Sequence, residues 1–292
     1  MPGTATTLKR DKRQSKIGEI WRRLKINKGA VAGLAVILFL SAMAIFAPYL
    51  APYEPNKMNS GPRLASPSMK HPLGTDSFGR DQLSRVIYGA RISLYVGFIA
   101  VGIGAVIGGF IGAVVGYYGG RVDNILMRIM DVLLAVPQII LAIAIVGALG
   151  ANLVNLMIAV GVSQIPRYAR IVRASALSVR GQEFVEAARA IGASDLRIIL
   201  ENILPNCMAP IIVQSTLGVA SAILSAAALS FLGLGIQPPT PEWGSMLSLG
   251  RQYMRNAPHL TFYPGLVIAI VVLALNIFGD GLRDALDPKL RQ

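Results

Sequence analysis

The chain has 292 residues, of which 53% are hydrophobic and only 15% charged, with a net charge of +13 and a mean hydropathy of +0.55. A soluble domain carries about a quarter charged residues, so this composition excludes an ordinary soluble globule and points to a polytopic membrane protein, for which the spans below make the expected fold class all-α. A single cysteine (Cys207) excludes an internal disulfide and a cysteine-based metal cluster, and two histidines (His71, His259) leave little for a metal or acid–base site.

Residues 1–28 form a basic tail. Lys9, Arg10, Lys12, Arg13, Lys16, Arg22, Arg23, Lys25 and Lys28 stand against Asp11 and Glu19, a surplus of seven positive charges. Such a tail suits nucleic acid or membrane topology. Topology is preferred, because the basic run abuts an apolar span and so keeps this end cytoplasmic. The first span is expected at Gly29–Leu50, close to the roughly 20 residues that cross a bilayer. Ala42-Met43-Ala44 mimics a signal-peptide cleavage site, but the apolar run continues past it, which favours an uncleaved anchor.

Ala51–Arg91 is rich in Pro, Ser and Gly and is expected outside the membrane, completing a 29–91 unit of first span and external loop. Its charge (Lys57, Arg63, Lys70, Arg80, Arg85 and Arg91 against Glu54, Asp76 and Asp81) mildly opposes an outside location, and the stronger tail prevails. Further spans are expected at Ile92–Gly116, Val132–Gly150, Leu153–Ile165, Ala209–Leu234 and Pro264–Phe278 within a 92–292 transmembrane domain. Six crossings place both termini and the Arg167–Pro205 stretch in the cytoplasm. Arg167, Arg170 and Arg173, spaced by three, agree with that side.

The second span carries Gly104, Gly108, Gly112, Gly116 and Gly120. A spacing of four puts them on one helix face. Lipid gives helices no hydrophobic push together, so close backbone approach does that work. Packing within the chain is preferred to a subunit interface. Charge inside the spans is scarce: Asp131 has Arg128 on its own face, and Asp280 and Asp284 follow the last span. Ion-coupled carriers need such groups, so energy is expected from elsewhere. Gln138, Asn155, Gln164, Gln214, Ser215 and Asn276 suit either a wet path or helix–helix hydrogen bonds. The sequence has no phosphate-binding GxxxxGK[ST] loop, no HExxH and no GxSxG. No catalytic or metal site is therefore expected.

Residues 183–206 read EFVEAARAIGASDLRIILENILPN. Glu183 and Glu186 favour the first turn of a short helix. Ala187, Ala188 and Ala190 keep its surface thin, and Gly192 suits its end. After Ala193, Ser194 or Asp195 can cap a second helix, and Leu204-Pro205 leads to the next span. A helix–turn–helix of fixed shape is expected in place of a plain solvated loop.

This segment resembles the EAA loop of ABC-importer permeases, through Glu186, Ala187, Ala188, Gly192, Leu204 and Pro205. Asn202 stands where the general pattern has an aliphatic residue. HPLGTDSFGRD (His71–Asp81), GARISL (Gly89–Leu94) and GDGLRDALDPKLR (Gly279–Arg291) resemble the C-type permease of dipeptide/oligopeptide importers. The resemblance covers nearly all of Gly29–Arg291. It implies a five-helix importer core plus one N-terminal helix, in a bacterial or archaeal inner membrane. It implies a non-catalytic subunit with four protein partners: a homologous second permease, two ATPase subunits that hold ATP and Mg, and an extracytoplasmic solute-binding protein. The substrate implied is a peptide, and no nucleic acid is involved. Glu183, Glu186, Ala187, Ala188, Gly192, Ala193, Ser194, Asp195, Leu204 and Pro205 would then couple to an ATPase. The competing reading is a self-sufficient carrier or channel that uses the loop as a scaffold, and a membrane enzyme ranks third.

Overall fold

The computed structural model describes residues 16–286. Most of the basic tail and residues 287–291 of the C-terminal motif lie outside the described residues, so the topology assigned to Lys9–Arg13 does too. Helix α1 (Lys16–Ile26) leads to α2 (Lys28–Ile45), which Asn27 caps by accepting from the Ala30 N–H. A short turn, Ala47–Leu50, ends the first apolar stretch. The long helix α3 (Gln82–Tyr118) follows the external segment and contains one π turn at Gly104–Gly108. Then come α4 (Gly120–Ala135), α5 (Gln138–Leu149), α6 (Leu153–Val179), α7 (Glu183–Ala190) and α8 (residues 195–206). The chain closes with α9 (Met208–Phe231), α10 (Trp243–Arg251) and α11 (His259–Leu286).

Helices α3, α6, α9 and α11 form the centre, with α2 packed on α11. The core joins Val96 and Val101 of α3, Leu156 and Val160 of α6, Ile223 of α9 and Val271 of α11. Large apolar side chains such as Phe39, Phe98, Val106 and Leu273 stay exposed along the same helices. In a chain of this hydropathy such faces suit lipid or another membrane helix. By length and composition α2, α3, α9 and α11 can each cross a membrane, and α4 with α5 add a fifth crossing if that bent pair is one span. The protein is therefore a nearly all-helical polytopic membrane protein. The crossing predicted at Leu153–Ile165 is the apolar first part of α6, whose later part carries Arg167, Arg170 and Arg173 and takes it out of that set.

Three expectations are corrected. The span predicted at Val132–Gly150 is broken: α4 ends at Ala135, α5 starts at Gln138, and the two diverge by 92°. Pro137 lacks an N–H, and Val136 before it is extended at ψ 126°, as a pre-proline residue prefers. Gly120 is not in the α3 glycine row, because Gly119 and Gly120 have φ of +64° and +54° and turn the chain into α4. The boundary placed at residues 91/92 falls inside α3. That helix starts ten residues earlier than predicted, because Asp81 caps it through the Ser84 N–H at 2.8 Å.

The external segment is tied down by buried charge. Asp81 also accepts from the Ser84 hydroxyl and faces His71 Nδ1 at 2.9 Å. Asp76 accepts from the Phe78 and Arg80 N–H groups and from Arg80 Nε at 2.6 Å. Arg85 donates to the carbonyls of Pro55 and Pro239, joining the segment to the loop before α10. Trp243 is fully buried, donates to the Val86 carbonyl at 3.0 Å and lies against Gly89 of the GARISL motif. Next to it the buried Glu242 caps α10, accepting from the Gly244 and Ser245 N–H groups at 2.8 Å each.

Burial pushes the Glu242 carboxyl above its ordinary range, with the bonds from Gly244 and Ser245 opposing. A raised value means the folded protein holds this proton more tightly than the unfolded chain does. Its contribution to stability is complete below the unfolded carboxylate range and is lost as pH rises through the folded value. Glu242→Gln is expected to flatten that slope in detergent melts as pH rises above the unfolded carboxylate range. Glu242→Ala should cost about 1–3 kcal/mol, by orphaning two N–H groups. An unchanged slope in the Gln variant would contradict this assignment.

Candidate functional site

Residues 183–206 project from the end of the bundle where α3 ends and α6 ends. Helix α7 buries only Val185, and α8 buries Ile198, Ile199 and Ile203. These side chains join Ala113 and Tyr117 of α3, Val172, Ala176 and Val179 of α6, and Ile211 of α9 in one apolar cluster. Cys207 sits in that cluster with no exposed surface, and burial raises its thiol pKa, so it is a packing residue. The opposite face is open: Glu183, Glu186, Ala187, Gly192, Ser194 and Asp195 are exposed, and Ala188 and Ala193 are half-buried. Phe184, Ile191, Leu196 and Leu200 add apolar groups to the exposed face, with Ile191 at 85% exposure. A thin alanine surface ringed by exposed apolar and acidic side chains is unusual for a water-facing loop and suits contact with protein. These four apolar residues were not singled out in the sequence, although their spacing around Gly192 was available there.

The turn is built by hydrogen bonds. The Gly192 N–H donates to Arg189 O at 3.0 Å, and the Ala193 N–H donates to Ala188 O at 3.1 Å. That pair is a Schellman closure, which requires the left-handed φ of +79° found at Gly192. Ser194 occupies the cap position of α8, but its side chain makes no capping bond. Asp195 does not cap either. Its carboxylate accepts from the Tyr117 hydroxyl at 2.7 Å, while the Arg189 guanidinium lies 5.4 Å from the Tyr117 ring centre. One aromatic residue at the end of α3 thus holds both arms of the turn. In α8 a π turn at Ile199–Ile203 precedes Leu204-Pro205, giving room for a proline whose ring opposes a regular i−4 carbonyl. Asn202 is half-buried, and its carbonyl accepts from Asn206 Nδ2 at 2.7 Å.

Above this segment runs the seam between α3 and α6. A Cβ on Gly108 would lie 2.4 Å from Ile165 O, and one on Gly112 would lie 2.4 Å from Ala169 O. Gly104 faces Gln164 and Tyr168, and Gly116 faces Ala176. The seam ends beside the turn, where Arg180 donates to Gly116 O at 3.3 Å. Gly120 has open space around it and takes no part. Asp131 pairs at 2.5 Å with Arg170 of α6, and not with Arg128. Asp123 takes both Nε and Nη2 of Arg173 at 2.5 and 2.6 Å. Among the polar residues in the spans, Asn155 closes the α5–α6 turn through the carbonyls of Leu149 and Gly150, and Ser215 accepts from the Tyr168 hydroxyl.

A bundle of apolar helices, interrupted by one anchored helix–turn–helix with an exposed alanine and acidic face, defines a polytopic membrane protein with a built surface for a protein contact. Residues 105–292 match the family described as binding-protein-dependent transport system inner membrane component, and the chain belongs to that family. Residues 15–67 match the N-terminal transmembrane domain of oligopeptide transport permease C. The dipeptide transport system permease protein DppC of Alkalihalophilus pseudofirmus is 50% identical over 273 residues, covering 94% of this chain and 90% of that protein. The di/tripeptide transport system permease protein DppC of Pseudomonas aeruginosa is 47% identical, covering 95% and 93%. The glutathione transport system permease protein GsiD of Escherichia coli O1:K1 is also 47% identical, covering 94% and 90%. The fold is similar to that of the MetNI methionine ABC transporter in an inward-facing conformation, with a TM-score of 0.55 at 20% identity, covering 70% of this chain and 96% of that one.

Proposed function

We propose that the chain is the transmembrane permease subunit of an ATP-driven importer of di- and oligopeptides. The observation that carries this reading is 47–50% identity over more than nine-tenths of the chain to permeases named for dipeptides and di/tripeptides. The anchored, acidic and thin helix α7 supports the coupling half of it. On this reading the chain forms half of the translocation path beside a homologous second permease. Two ATPase subunits hold the ATP and Mg and grip Glu183, Glu186, Ala187, Ala188, Gly192, Ala193, Ser194 and Asp195, with Leu204 and Pro205 passing movement into α9. An external solute-binding protein delivers the peptide to the face formed by the 51–81 segment and α10. Both termini and the 183–206 segment are then cytoplasmic, and the chain catalyses nothing itself.

Movement of the ATPase pair would reach the bundle as a rigid-body displacement, because α7 and α8 are packed on α3 and α6. The test is uptake of a labelled dipeptide into liposomes. The purified chain alone should give none, and the full assembly with ATP should accumulate it. ATP-independent uptake by the single chain would establish a self-sufficient carrier instead.

A further inference from the structure

Helix α1 has a face that the transport role leaves unused. Its inner side, Ile20 and Leu24, packs with Ala30 and Leu34 of α2 and with Phe278, Leu282 and Ala285 of α11. Away from that side Trp21, Arg22, Lys25 and Ile26 are exposed, and so is Lys28 at the start of α2. Lys25 Nζ lies 5.3 Å from the centre of the Trp21 ring.

The charge on this face is not balanced within the chain. Glu19, the sole acid of α1, is taken by Arg23 at 2.7 Å. Arg22, Lys25 and Lys28 have no ion-pair partner among the described residues, and Asp280 and Asp284 near the end of α11 are exposed without pairing to them. In the sequence before them, Lys9, Arg10, Lys12, Arg13 and Lys16 against Asp11 extend the same sign. The level of the face is also set. Only Asn27, with an extended ψ of 96°, separates α1 from α2, and α2 is long and apolar enough to cross a membrane. At a helical rise of 1.5 Å per residue, Trp21 is about 10 Å from the start of α2, whatever the angle between the two helices. That is about one Debye length in physiological salt. Three unpaired cations and an exposed tryptophan at this level complement an anionic headgroup. Basic clusters beside a membrane helix attract anionic lipid, and tryptophan settles at headgroup depth.

We propose that Arg22, Lys25 and Lys28 bind the headgroup phosphates of anionic phospholipids in the leaflet where α2 enters, with Trp21 seated among those headgroups. Lipid then fastens the corner made by α1, α2 and α11 to the bilayer surface. The binding is independent of the transported cargo and of the 183–206 segment.

Trp21 supplies the readout, because the other tryptophan, Trp243, is fully buried. The full chain, purified in neutral detergent, is titrated with phosphatidylglycerol or phosphatidylcholine in mixed micelles. Phosphatidylglycerol should give a saturable blue shift of the Trp21 emission, and phosphatidylcholine should not. Salt at about 1 M, which cuts the Debye length to about 3 Å, should reverse the shift. Lys25→Gln should weaken the apparent affinity about fivefold, the value of one basic residue near a charged lipid surface, and Arg22→Gln, Lys25→Gln and Lys28→Gln combined about a hundredfold. Lys25→Arg should keep it, and Arg255→Gln at the other end of the bundle should leave it unchanged. Trp21→Phe should remove the shift. An unaltered melting midpoint of the triple variant without added lipid verifies its fold. Equal responses to the two lipids overturn the proposal. So does a wild-type response in the triple variant, an equal response to glycerol phosphate alone, or loss of the phosphatidylglycerol response in the assembly with the second permease and the ATPases. The last result would make the face a protein interface.

Discussion

Gly112→Ala is expected to cost at least about 2 kcal/mol, and Gly108→Leu with Gly112→Leu to abolish recovery of folded protein. At both positions the new Cβ would lie 2.4 Å from a backbone carbonyl oxygen of α6, with Tyr168 Cβ or Val172 Cβ at 2.8 Å. A flexible side chain can step aside from such a clash, but a helix backbone cannot. The two helices would have to separate along the whole seam. In lipid no hydrophobic effect compensates, since the separated faces are as well solvated by acyl chains as by each other. Gly102→Ala is the matched control, because it lies in the same helix with nothing within 4 Å of its Cβ position. It should be neutral or stabilising by up to about 1 kcal/mol, through helix propensity. Yield of monodisperse protein and the melting midpoint decide between them. Equal behaviour of Gly112→Ala and Gly102→Ala would refute the seam as a determinant of the fold.

That row of glycines was visible in the sequence because its period equals the helix repeat. Its end was not placed correctly, although Gly119-Gly120 is a turn signal, because a strict spacing of four carried the reading past the pair. The break at Pro137 was lost for a related reason: mean hydropathy over about twenty residues does not register one missing N–H. In the 51–91 segment, charged residues were counted only for their bearing on topology. Asp76, Arg80, Asp81 and Arg85 are instead buried among one another and against Pro239, which comes from the far end of the chain. Pairing across such distances leaves no local pattern. The same holds for Asp131, whose partner Arg170 lies 39 residues away, while the nearer Arg128 has no ion-pair partner among the described residues. The 183–206 turn was legible because its signals are local: acids, alanines and a glycine in order. Ser194 and Asp195 have the right chemistry for a cap, yet Tyr117 at the end of α3 claims Asp195.

Glu186→Lys in the full assembly is expected to lower ATPase co-purification and ATP-driven uptake at least tenfold, about 1.4 kcal/mol of lost association. Glu186 is exposed and has no side-chain partner among the described residues, so the chain's own fold should lose at most about 1 kcal/mol, from the helix dipole. Gly192→Pro should have the same functional effect by a different route. Proline cannot adopt the φ of +79° at this position, and it removes the N–H that donates to Arg189 O. The angle between α7 and α8 is then lost, while Val185 and Ile198 can stay buried. Gly192→Ala separates shape from space: its Cβ meets nothing within 4 Å, so only the backbone penalty of about 1–2 kcal/mol remains and the defect should be partial. A graded loss from Ala to Pro at unchanged membrane yield would identify the fixed turn as the element an ATPase grips. Wild-type coupling in Glu186→Lys and Gly192→Pro together would remove α7 from the mechanism and leave the seam without a lever to move it.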